Sequence, residues 1–286
     1  MPESPTSREW DGRPVEALAD ALAATRFTDL RCFPEVDSTN RLLLDAARAG
    51  EPEGVVAVAD FQSAGRGRLG RTWSAPPGAS LLVSVLVRPD VPPDRAHLVT
   101  MAAGLAACDA VWLVAGFNPS LKWPNDLVVG DRKLGGMLTE ADLADGRVKA
   151  LVVGLGLNVN WHDFPPEIAE VAVACNQVTG ETVDRSDLLV RLLERFEDRY
   201  AGLAGAYGPE GVVAEYRQRC STLGRRVRIE QADGAFEGTA VDVDDDGRLV
   251  VERDEGAPAV VAVGDVVHLR PVAGGGDTPG EETLPG

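Results

Sequence analysis

The feature that most limits the possible folds is a glycine- and arginine-rich segment, GRGRLGRTW (65–73). Its spacing matches the dinucleotide fingerprint G-x-G-x-x-G and is one substitution short of a P-loop, but both motifs need a strand before the glycines and a helix after them. The apolar, β-branched run 54–61 predicts the strand. The following residues, SAPPGAS (74–80), cannot form the first turns of a helix, because they contain two prolines and a glycine. Both nucleotide-binding folds are therefore excluded, and the segment is predicted to be a loop.

The loop carries three arginines, Arg66, Arg68 and Arg71. No helix dipole is predicted here that could attract an anion, so any anion must be held by side-chain charge. The planar guanidinium group suits this role, because it binds carboxylate or phosphate oxygens in pairs. A solvated basic loop is the alternative. Three arginines among three glycines are unusual in a chain with a net charge of −17, which favours an anion-binding loop.

Charge and composition exclude several classes of function. A net charge of −17 argues against nucleic acid as a main partner, since nucleic acid needs a basic face. Four widely spaced cysteines without a C-x-x-C pair are typical of buried thiols in a cytosolic protein. The polar, proline-bearing start, MPESPTSREWDG, is not a signal peptide. The longest apolar stretch, 101–117, contains Asp109 and is short for a bilayer, so we predict a buried helix in a cytoplasmic protein without a membrane partner.

Hydrophobic periodicity and turn signals predict a mixture of helices and strands up to residue 220. Helices are predicted over 14–25, 38–50, 94–115, 186–203 and 209–220, and strands over 29–36, 54–61, 80–89, 121–130, 133–142 and 148–160. From residue 225 the pattern changes to short alternating runs divided by turns, with no room for a helix. The acidic run 242–247 lacks the closing Glu of a calcium loop and is interpreted as a solvated turn.

These patterns predict an α+β core followed by a small β-barrel or sandwich. The predicted parts are an N-terminal extension with one helix, a core domain, a small β domain and a disordered tail: 1–28, 29–222, 223–272 and 273–286.

Four polar or glycine-rich stretches are candidates for chemistry: DSTN (37–40), QSAGRGRLGRTW (62–73), KWPND (122–126) with KLGG (133–136), and GLGLNVN (154–160). Most of them also have a structural interpretation: helix capping at Ser38, a tight proline turn in KWPND, and a bulge in the glycine-bearing strand. Taken together, and in this order, they resemble biotin protein ligases. That family's pattern is a Ser-Thr-Asn corner, a Gln ahead of G-R-G-R-x-G-R-x-W, then K-W-P-N-D, K-x-x-G and G-x-G-x-N. The resemblance covers roughly residues 30–160, and the later helices and small β domain resemble the family's layout.

The resemblance implies a class II synthetase-like core with a mixed or antiparallel sheet, followed by an SH3-like β-barrel. It also implies a two-step reaction. Biotin attacks the α-phosphorus of ATP, giving biotinyl-5′-AMP and pyrophosphate. A lysine of a biotin carboxyl carrier domain of an acyl-CoA carboxylase then accepts the biotinyl group. ATP and Mg²⁺ are the implied cofactors, and biotin is a substrate.

Site roles follow from the resemblance and from residue chemistry. Catalytic roles are expected for Lys133, Arg66 and Asp126, with Asp126 also a candidate to bind Mg²⁺ or to orient the acceptor amine. Biotin is expected to contact Ser38, Thr39, Asn40, Gln62, Arg66, Gly67, Arg68, Lys133, Gly154 and Gly156. ATP and the adenylate are expected to contact Arg68, Arg71, Trp73, Asn125 and Asn158.

Larger relatives carry an N-terminal winged helix-turn-helix, whereas only about 30 residues precede the first core strand here, so DNA binding is not expected.

The alternatives to a biotin protein ligase are a lipoate–protein ligase and a non-enzymatic biotin or nucleotide sensor. The arginine-bearing segment and the C-terminal β domain favour biotin. The oligomeric state, the identity of the acceptor and the effect of the second glycine in KLGG stay open.

Overall fold

The computed structural model describes residues 6–205, 207–231, 234–262 and 265–268. The helices are α1 (Val15–Ala21), α2 (Thr39–Arg48), α3 (His97–Ala115), α4 (Cys175–Thr179), α5 (Arg185–Leu203) and α6 (Gly208–Arg219). The strands up to residue 158 are β1 (Glu9–Trp10), β2 (Arg13–Pro14), β3 (Asp29–Val36), β4 (Val55–Gln62), β5 (Ser80–Val87), β6 (Ser120–Lys122), β7 (Asp126–Val129), β8 (Arg132–Ala144) and β9 (Arg147–Asn158). The later strands are β10 (Arg226–Gln231), β11 (Gly234–Val243), β12 (Leu249–Arg253), β13 (Ala259–Val261) and β14 (Asp265–His268).

A seven-stranded mixed sheet with the order β3-β4-β5-β9-β8-β7-β6 organises the core. β3 and β4 are parallel, and every other neighbouring pair is antiparallel. The predicted α+β class with a mixed sheet is therefore confirmed. β4 passes to its antiparallel neighbour β5 through residues 63–79, here named the arginine loop. It contains a single 3₁₀ turn at Arg68–Gly70 and no α-helix, as its prolines predict.

Helices cover both faces of this sheet, because side chains in each strand alternate between two cores. α2 packs on one face against residues such as Val55 and Ala57. α3, α5 and α6 pack on the other face, against residues such as Val56 and Val58. α3 is apolar on all sides because most of its residues are buried. Within the described chain, the segment Pro93–Ala115 is the one helical segment long and apolar enough to span a membrane, but 72% of its most apolar window is buried in the fold. The predicted buried helix is confirmed.

The cysteines behave as the sequence predicts. All four are free and buried. Burial raises the pKa of the Cys32, Cys108 and Cys175 thiols to about 12, so these thiols stay protonated near neutral pH.

One local expectation needs correction, and two further features were not predicted. The run 121–130 was expected as one strand but forms β6 and β7, because the Trp123-Pro124-Asn125 turn makes a hairpin in which Lys122 pairs with Asp126. A two-stranded hairpin, β1-β2, precedes α1 and turns at the Asp11-Gly12 pair. The stretch 159–184 contains α4 and a segment that pairs with Lys133 through the backbone.

A second, five-stranded antiparallel sheet has the order β13-β12-β11-β10-β14. The closure of this sheet into an SH3-like barrel stays a prediction, and the predicted disordered tail, 273–286, lies outside the described residues. The acidic turn between β11 and β12 is not simply solvated, because it contacts the core. Asp246 forms an ion pair with Arg95 at 3.0 Å, and the Gly247 carbonyl accepts a hydrogen bond from Trp123 Nε1 at 3.1 Å.

We expect Gly247→Ala to lower the free energy of unfolding by about 2–3 kcal/mol, through backbone strain and a steric clash. Gly247 has φ +77°, and an added Cβ would lie 2.6 Å from His97 Nε2 and 2.8 Å from Met101 Sδ. Gly256→Ala is the matched control, since Gly256 also has positive φ (+91°) but no atom within 4 Å of the added Cβ. Urea unfolding of both variants measures the difference. Equal destabilisation would show that the turn does not pack against α3 as described.

Candidate active site

A cavity of about 300 Å³ lies between the arginine loop, the KWPND turn and strands β8 and β9. This volume is within the range of small-molecule sites. The predicted site residues that line it are Ser38, Thr39, Asn40, Gln62, Arg66, Gly67, Arg68, Arg71, Trp73, Asn125, Asp126, Lys133, Gly154 and Gly156. Asn158 is the predicted residue that the structure does not place there. It is 4% exposed, and its Nδ2 donates to the Val173 carbonyl at 3.2 Å.

One end of the cavity is a neutral polar corner where β3 leads into α2. Ser38 is the N-cap of α2, and its side chain accepts from the Arg41 backbone N–H at 3.5 Å. Thr39 donates to Gln62 Oε1 from both its backbone N–H, at 2.8 Å, and its hydroxyl, at 3.1 Å. The corner is therefore held to the end of β4 before any ligand arrives.

A buried hydrogen-bond chain continues from this corner beneath the cavity. Ser84 Oγ lies 2.7 Å from Thr39 Oγ1 and 2.6 Å from Asn40 Oδ1. Asn40 Nδ2 donates to the Leu138 carbonyl at 3.0 Å and to Glu140 Oε2 at 3.1 Å. Both ends of the Asn40 amide are thus used by the protein, so Asn40 is better suited to fix the corner than to hydrogen-bond a ligand.

Sequence reasoning missed Ser84 and Glu140. Ser84 lies in an eight-residue strand, SLLVSVLV, that is buried throughout. A polar residue in such a run needs a partner, and this was the one available signal. Glu140 lies beyond KLGG on β8 with no motif to mark it.

Two of the cavity's cations, Arg66 and Lys133, form ion pairs in the structure. Arg66 Nη1 is 2.9 Å from Glu140 Oε1, and Lys133 Nζ is 2.7 Å from Asp126 Oδ1. The Arg66 and Lys133 side chains are 50% and 39% exposed, so both pairs are open to exchange with an incoming anion.

The arginine loop reaches across the cavity to the KWPND turn. Arg68 Nη1 donates to Asn125 Oδ1 at 3.3 Å. Asn125 is itself fixed to β8, because its Nδ2 donates to the Met137 carbonyl at 2.6 Å and its own carbonyl accepts from Met137 N–H at 2.9 Å. The loop therefore rests on a rigid point of the opposite wall.

Glycines in β8 and β9 let side chains approach the strand backbones closely. A Cβ at Gly156 would lie 2.7 Å from Trp73 Nε1, so the indole lies directly on the strand. A Cβ at Gly154 would overlap Asn40 Oδ1. At Gly136, the second glycine of KLGG, a Cβ would come within 3.1 Å of Lys133 Nζ and 3.3 Å of Asp126 Oδ1. Gly136 thus leaves room for the Lys133–Asp126 ion pair, which answers the open point about this glycine.

Comparisons with known proteins give matches over most of the chain. Residues 32–158 match the biotin/lipoate A/B protein ligase family, and residues 222–269 match the biotin protein ligase C terminal domain. A biotin–[acetyl-CoA-carboxylase] ligase of Mycobacterium tuberculosis is 38% identical over 262 residues, which cover 89% of this chain and 95% of the relative. The chain belongs to the biotin protein ligase family. The resemblance inferred from the motifs is confirmed.

One further sequence relative and one solved structure are also similar to this biotin protein ligase family member. A bifunctional ligase/repressor of Bacillus subtilis is 33% identical over 223 residues, covering 77% of this chain and 68% of the relative. A biotin protein ligase from Aquifex aeolicus, solved in complex with biotin and ATP, superposes with a TM-score of 0.72 at 28% identity. The superposition covers 85% of this chain and 100% of the Aquifex aeolicus chain.

We expect Ser84→Ala to weaken biotin binding about tenfold, because it leaves Thr39 and Asn40 with one buried hydrogen bond fewer. Ser80→Ala is a matched control on the same strand. Ser80 is also fully buried, but its hydroxyl has no hydrogen-bond partner among the described residues, so its loss should not weaken binding. Calorimetric titration with biotin checks both. Unchanged affinity in Ser84→Ala would show that the buried chain does not shape the corner.

Proposed function

We propose that the protein is an ATP-dependent ligase that activates biotin as biotinyl-5′-AMP and transfers it to a lysine of a biotin carboxyl carrier domain. In the first step a biotin carboxylate oxygen bonds to the α-phosphorus of ATP, and pyrophosphate leaves. In the second step the neutral lysine amine attacks the acyl carbon, AMP leaves, and the amine loses a proton. The observation that carries the proposal is the cavity itself, where Arg66, Arg68, Arg71 and Lys133 face a neutral polar corner in a chain of this family.

The neutral corner is assigned to biotin's ureido ring, which offers two N–H donors and one carbonyl acceptor. Ser38, Thr39 and Gln62 supply hydroxyl and amide groups of both kinds. Val83, Leu138 and Leu155 line the same cavity and provide an apolar wall for the bicyclic body.

The paired cations are assigned to the reacting anions. Bringing a carboxylate to a polyphosphate needs fixed positive charge, and it acts most strongly where water is excluded. In our proposal Arg66 turns from Glu140 to the biotin carboxylate, and Lys133 turns from Asp126 to the α-phosphate. Asp126, released from Lys133, can then orient the acceptor amine. Arg68 and Arg71 hold the adenylate and polyphosphate.

We propose that Mg²⁺ would accompany ATP and would not occupy a preformed metal site. The described residues contain no group of three His, Cys, Asp or Glu side chains that could hold a metal by themselves. Mg²⁺ keeps several waters and is often bound through one or two carboxylates plus substrate phosphates. Asp126, with the Asn125 amide beside it, fits such a donor set. When bound, the ion would neutralise phosphate charge.

The acceptor is proposed to be the biotin carrier domain of an acyl-CoA carboxylase, and the place of action the cytoplasm. The mycobacterial relative is a biotin–[acetyl-CoA-carboxylase] ligase, which supports this partner. We also propose that residues 29–222 form the catalytic domain and 223–272 a C-terminal domain. The separate sheet that begins at Arg226 supports this division.

Lipoate is the second candidate substrate, because the matching family is that of the biotin/lipoate A/B protein ligases. The match of residues 222–269 to a biotin protein ligase domain favours biotin. ATP–pyrophosphate exchange with each acid, followed by transfer of labelled biotin to a purified carrier domain, tests the proposal. Exchange with lipoate but not biotin would reverse the assignment, and exchange without transfer would favour a sensor.

We expect Lys133→Ala to reduce pyrophosphate exchange by at least a hundredfold, because a charged donor lost from a catalytic site commonly costs about 2.7–4 kcal/mol in the transition state. Lys149→Ala is the matched control, since Lys149 is exposed and lies outside the cavity lining. Exchange by Lys133→Ala within tenfold of wild type would rule out its proposed role.

Arg68→Gly is expected to form biotinyl-AMP but to release it faster, because Arg66 and Lys133 remain while the contact from the arginine loop to Asn125 is lost. The escaped mixed anhydride should then biotinylate an unrelated protein such as albumin. Arg147→Gly removes an exposed arginine elsewhere and serves as the control. Release no faster than wild type, with albumin unlabelled, would show that Arg68 does not retain the intermediate.

A further inference from the structure

Arg185 is a buried arginine that lies outside the cavity but contacts both strands that flank the arginine loop. It is the first residue of α5, and its side chain is 7% exposed. Its Nη1 donates to Asp60 Oδ1 at 3.0 Å and to the Ser80 carbonyl at 3.2 Å. Asp60 lies near the end of β4, and Ser80 is the first residue of β5. A single guanidinium group therefore joins the two strands that carry the loop.

This bridge lies where the sheet itself does not connect the two strands. The β4–β5 pairing ends at Ala59 and Leu82, so Asp60 and Ser80 lie beyond the last paired residues. One backbone hydrogen bond, from Gly78 N–H to the Asp60 carbonyl at 3.2 Å, supplements the guanidinium. Each strand end is also held on its other side, β4 by pairing with β3 up to Gln62 and β5 by pairing with β9 from Ser80. Arg185 is thus the side chain that joins the two strand ends to each other. Gln62, which orders the polar corner, is only two residues beyond Asp60 along β4.

The N-terminal hairpin holds Arg185 in this position. Asp11 Oδ1 accepts from Arg185 Nε at 3.0 Å and from Nη2 at 2.6 Å, and Oδ2 accepts from the Arg185 backbone N–H at 3.2 Å. Asp11 has φ +50° in the Asp11-Gly12 turn. The Trp10 ring lies 5.0 Å from the guanidinium carbon. A segment far from the cavity therefore fixes the group that joins the loop ends.

We propose that Arg185 is a positioning residue for the arginine loop, and that the N-terminal hairpin acts on the ligand site through the Asp11–Arg185 pair. When the strand ends that carry the loop are held at a fixed separation, the loop can close over the adenylate with its arginines correctly placed. The inference rests on the proposed function, because biotinyl-AMP is the ligand that the loop retains.

A second set of ion pairs also attaches the hairpin to α5, and it allows the positioning role of Arg185 to be distinguished from simple attachment of the hairpin. Arg13 binds Asp184 at 2.6 Å and Asp187 at 2.9 Å, so it joins the same hairpin to the start of the same helix. Neither pair touches Asp60 or Ser80. Arg13→Ala therefore weakens the attachment and leaves the loop ends joined, which makes it the control.

The test compares Asp60→Asn and Asp11→Asn with Arg13→Ala in the full-length protein. We expect Asp60→Asn to speed biotinyl-AMP dissociation about tenfold and to raise KM for biotin more than it lowers kcat, because it replaces the ion pair between Asp60 and Arg185 with a weaker hydrogen bond to a neutral amide. Asp11→Asn should act in the same direction. Arg13→Ala should stay within about twofold of wild type in dissociation rate. Melting temperatures show whether fold stability alone accounts for the change.

Equal dissociation rates in Asp60→Asn and Arg13→Ala, with an active wild type, would overturn the inference. Arg185→Lys keeps the charge without the fork that spans Asp60 and Ser80, so it should resemble Asp60→Asn. If the wild type forms no biotinyl-AMP, the proposed function fails instead. Tryptic cleavage at Arg66, Arg68 and Arg71 in ligand-free protein then tests the loop directly. Faster cleavage in Asp60→Asn than in Arg13→Ala supports the inference, and equal cleavage contradicts it.

Discussion

In the proposed function, anion binding at this cavity relies on side-chain charge, because no α-helix begins where β4 ends. Folds that bind phosphate at the N-terminus of a helix use backbone N–H groups, which need no neutralising partner. Here the chain returns from β4 directly into antiparallel β5, so guanidinium and ammonium groups must supply the positive charge. Such groups are costly to leave unpaired in a partly buried site. The Arg66–Glu140 and Lys133–Asp126 pairs follow from that constraint.

The same constraint explains why the cavity floor is built from glycines and short polar side chains. Arg66 belongs to the arginine loop and Lys133 to β8 itself, so the strand positions around them must leave room for both side chains. Gly136 leaves space around Lys133, and Gly156 lets the Trp73 indole lie on the backbone. The polar corner is ordered separately by the buried chain through Thr39, Ser84 and Asn40. In the proposed function, two distinct sets of contacts therefore serve the neutral ring and the anions.

Much of this arrangement could be predicted from sequence, because the motif residues lie at the ends of strands that meet in one sheet. The α+β core and the buried helix α3 follow from local patterns, and the motif residues at the cavity follow from the resemblance to biotin protein ligases. The misses are contacts between residues far apart in the chain. Glu140 meets Arg66 only because β8 crosses beneath the loop, and Asp11 meets Arg185 across 174 positions. The Asp11-Gly12 pair was a usable hairpin signal, but neither its partner nor its role could be read from local sequence.

The hydrogen bond from Trp123 to Gly247 has a consequence for building hybrid ligases. Trp123 belongs to the KWPND turn that forms one cavity wall, while Gly247 belongs to the second sheet. Val266 and Val267 of that sheet also line the cavity. The C-terminal sheet therefore cannot be exchanged between relatives as an independent cassette. A chimaera would have to carry the acidic turn together with its contact residues on α3, or the wall would lose its support.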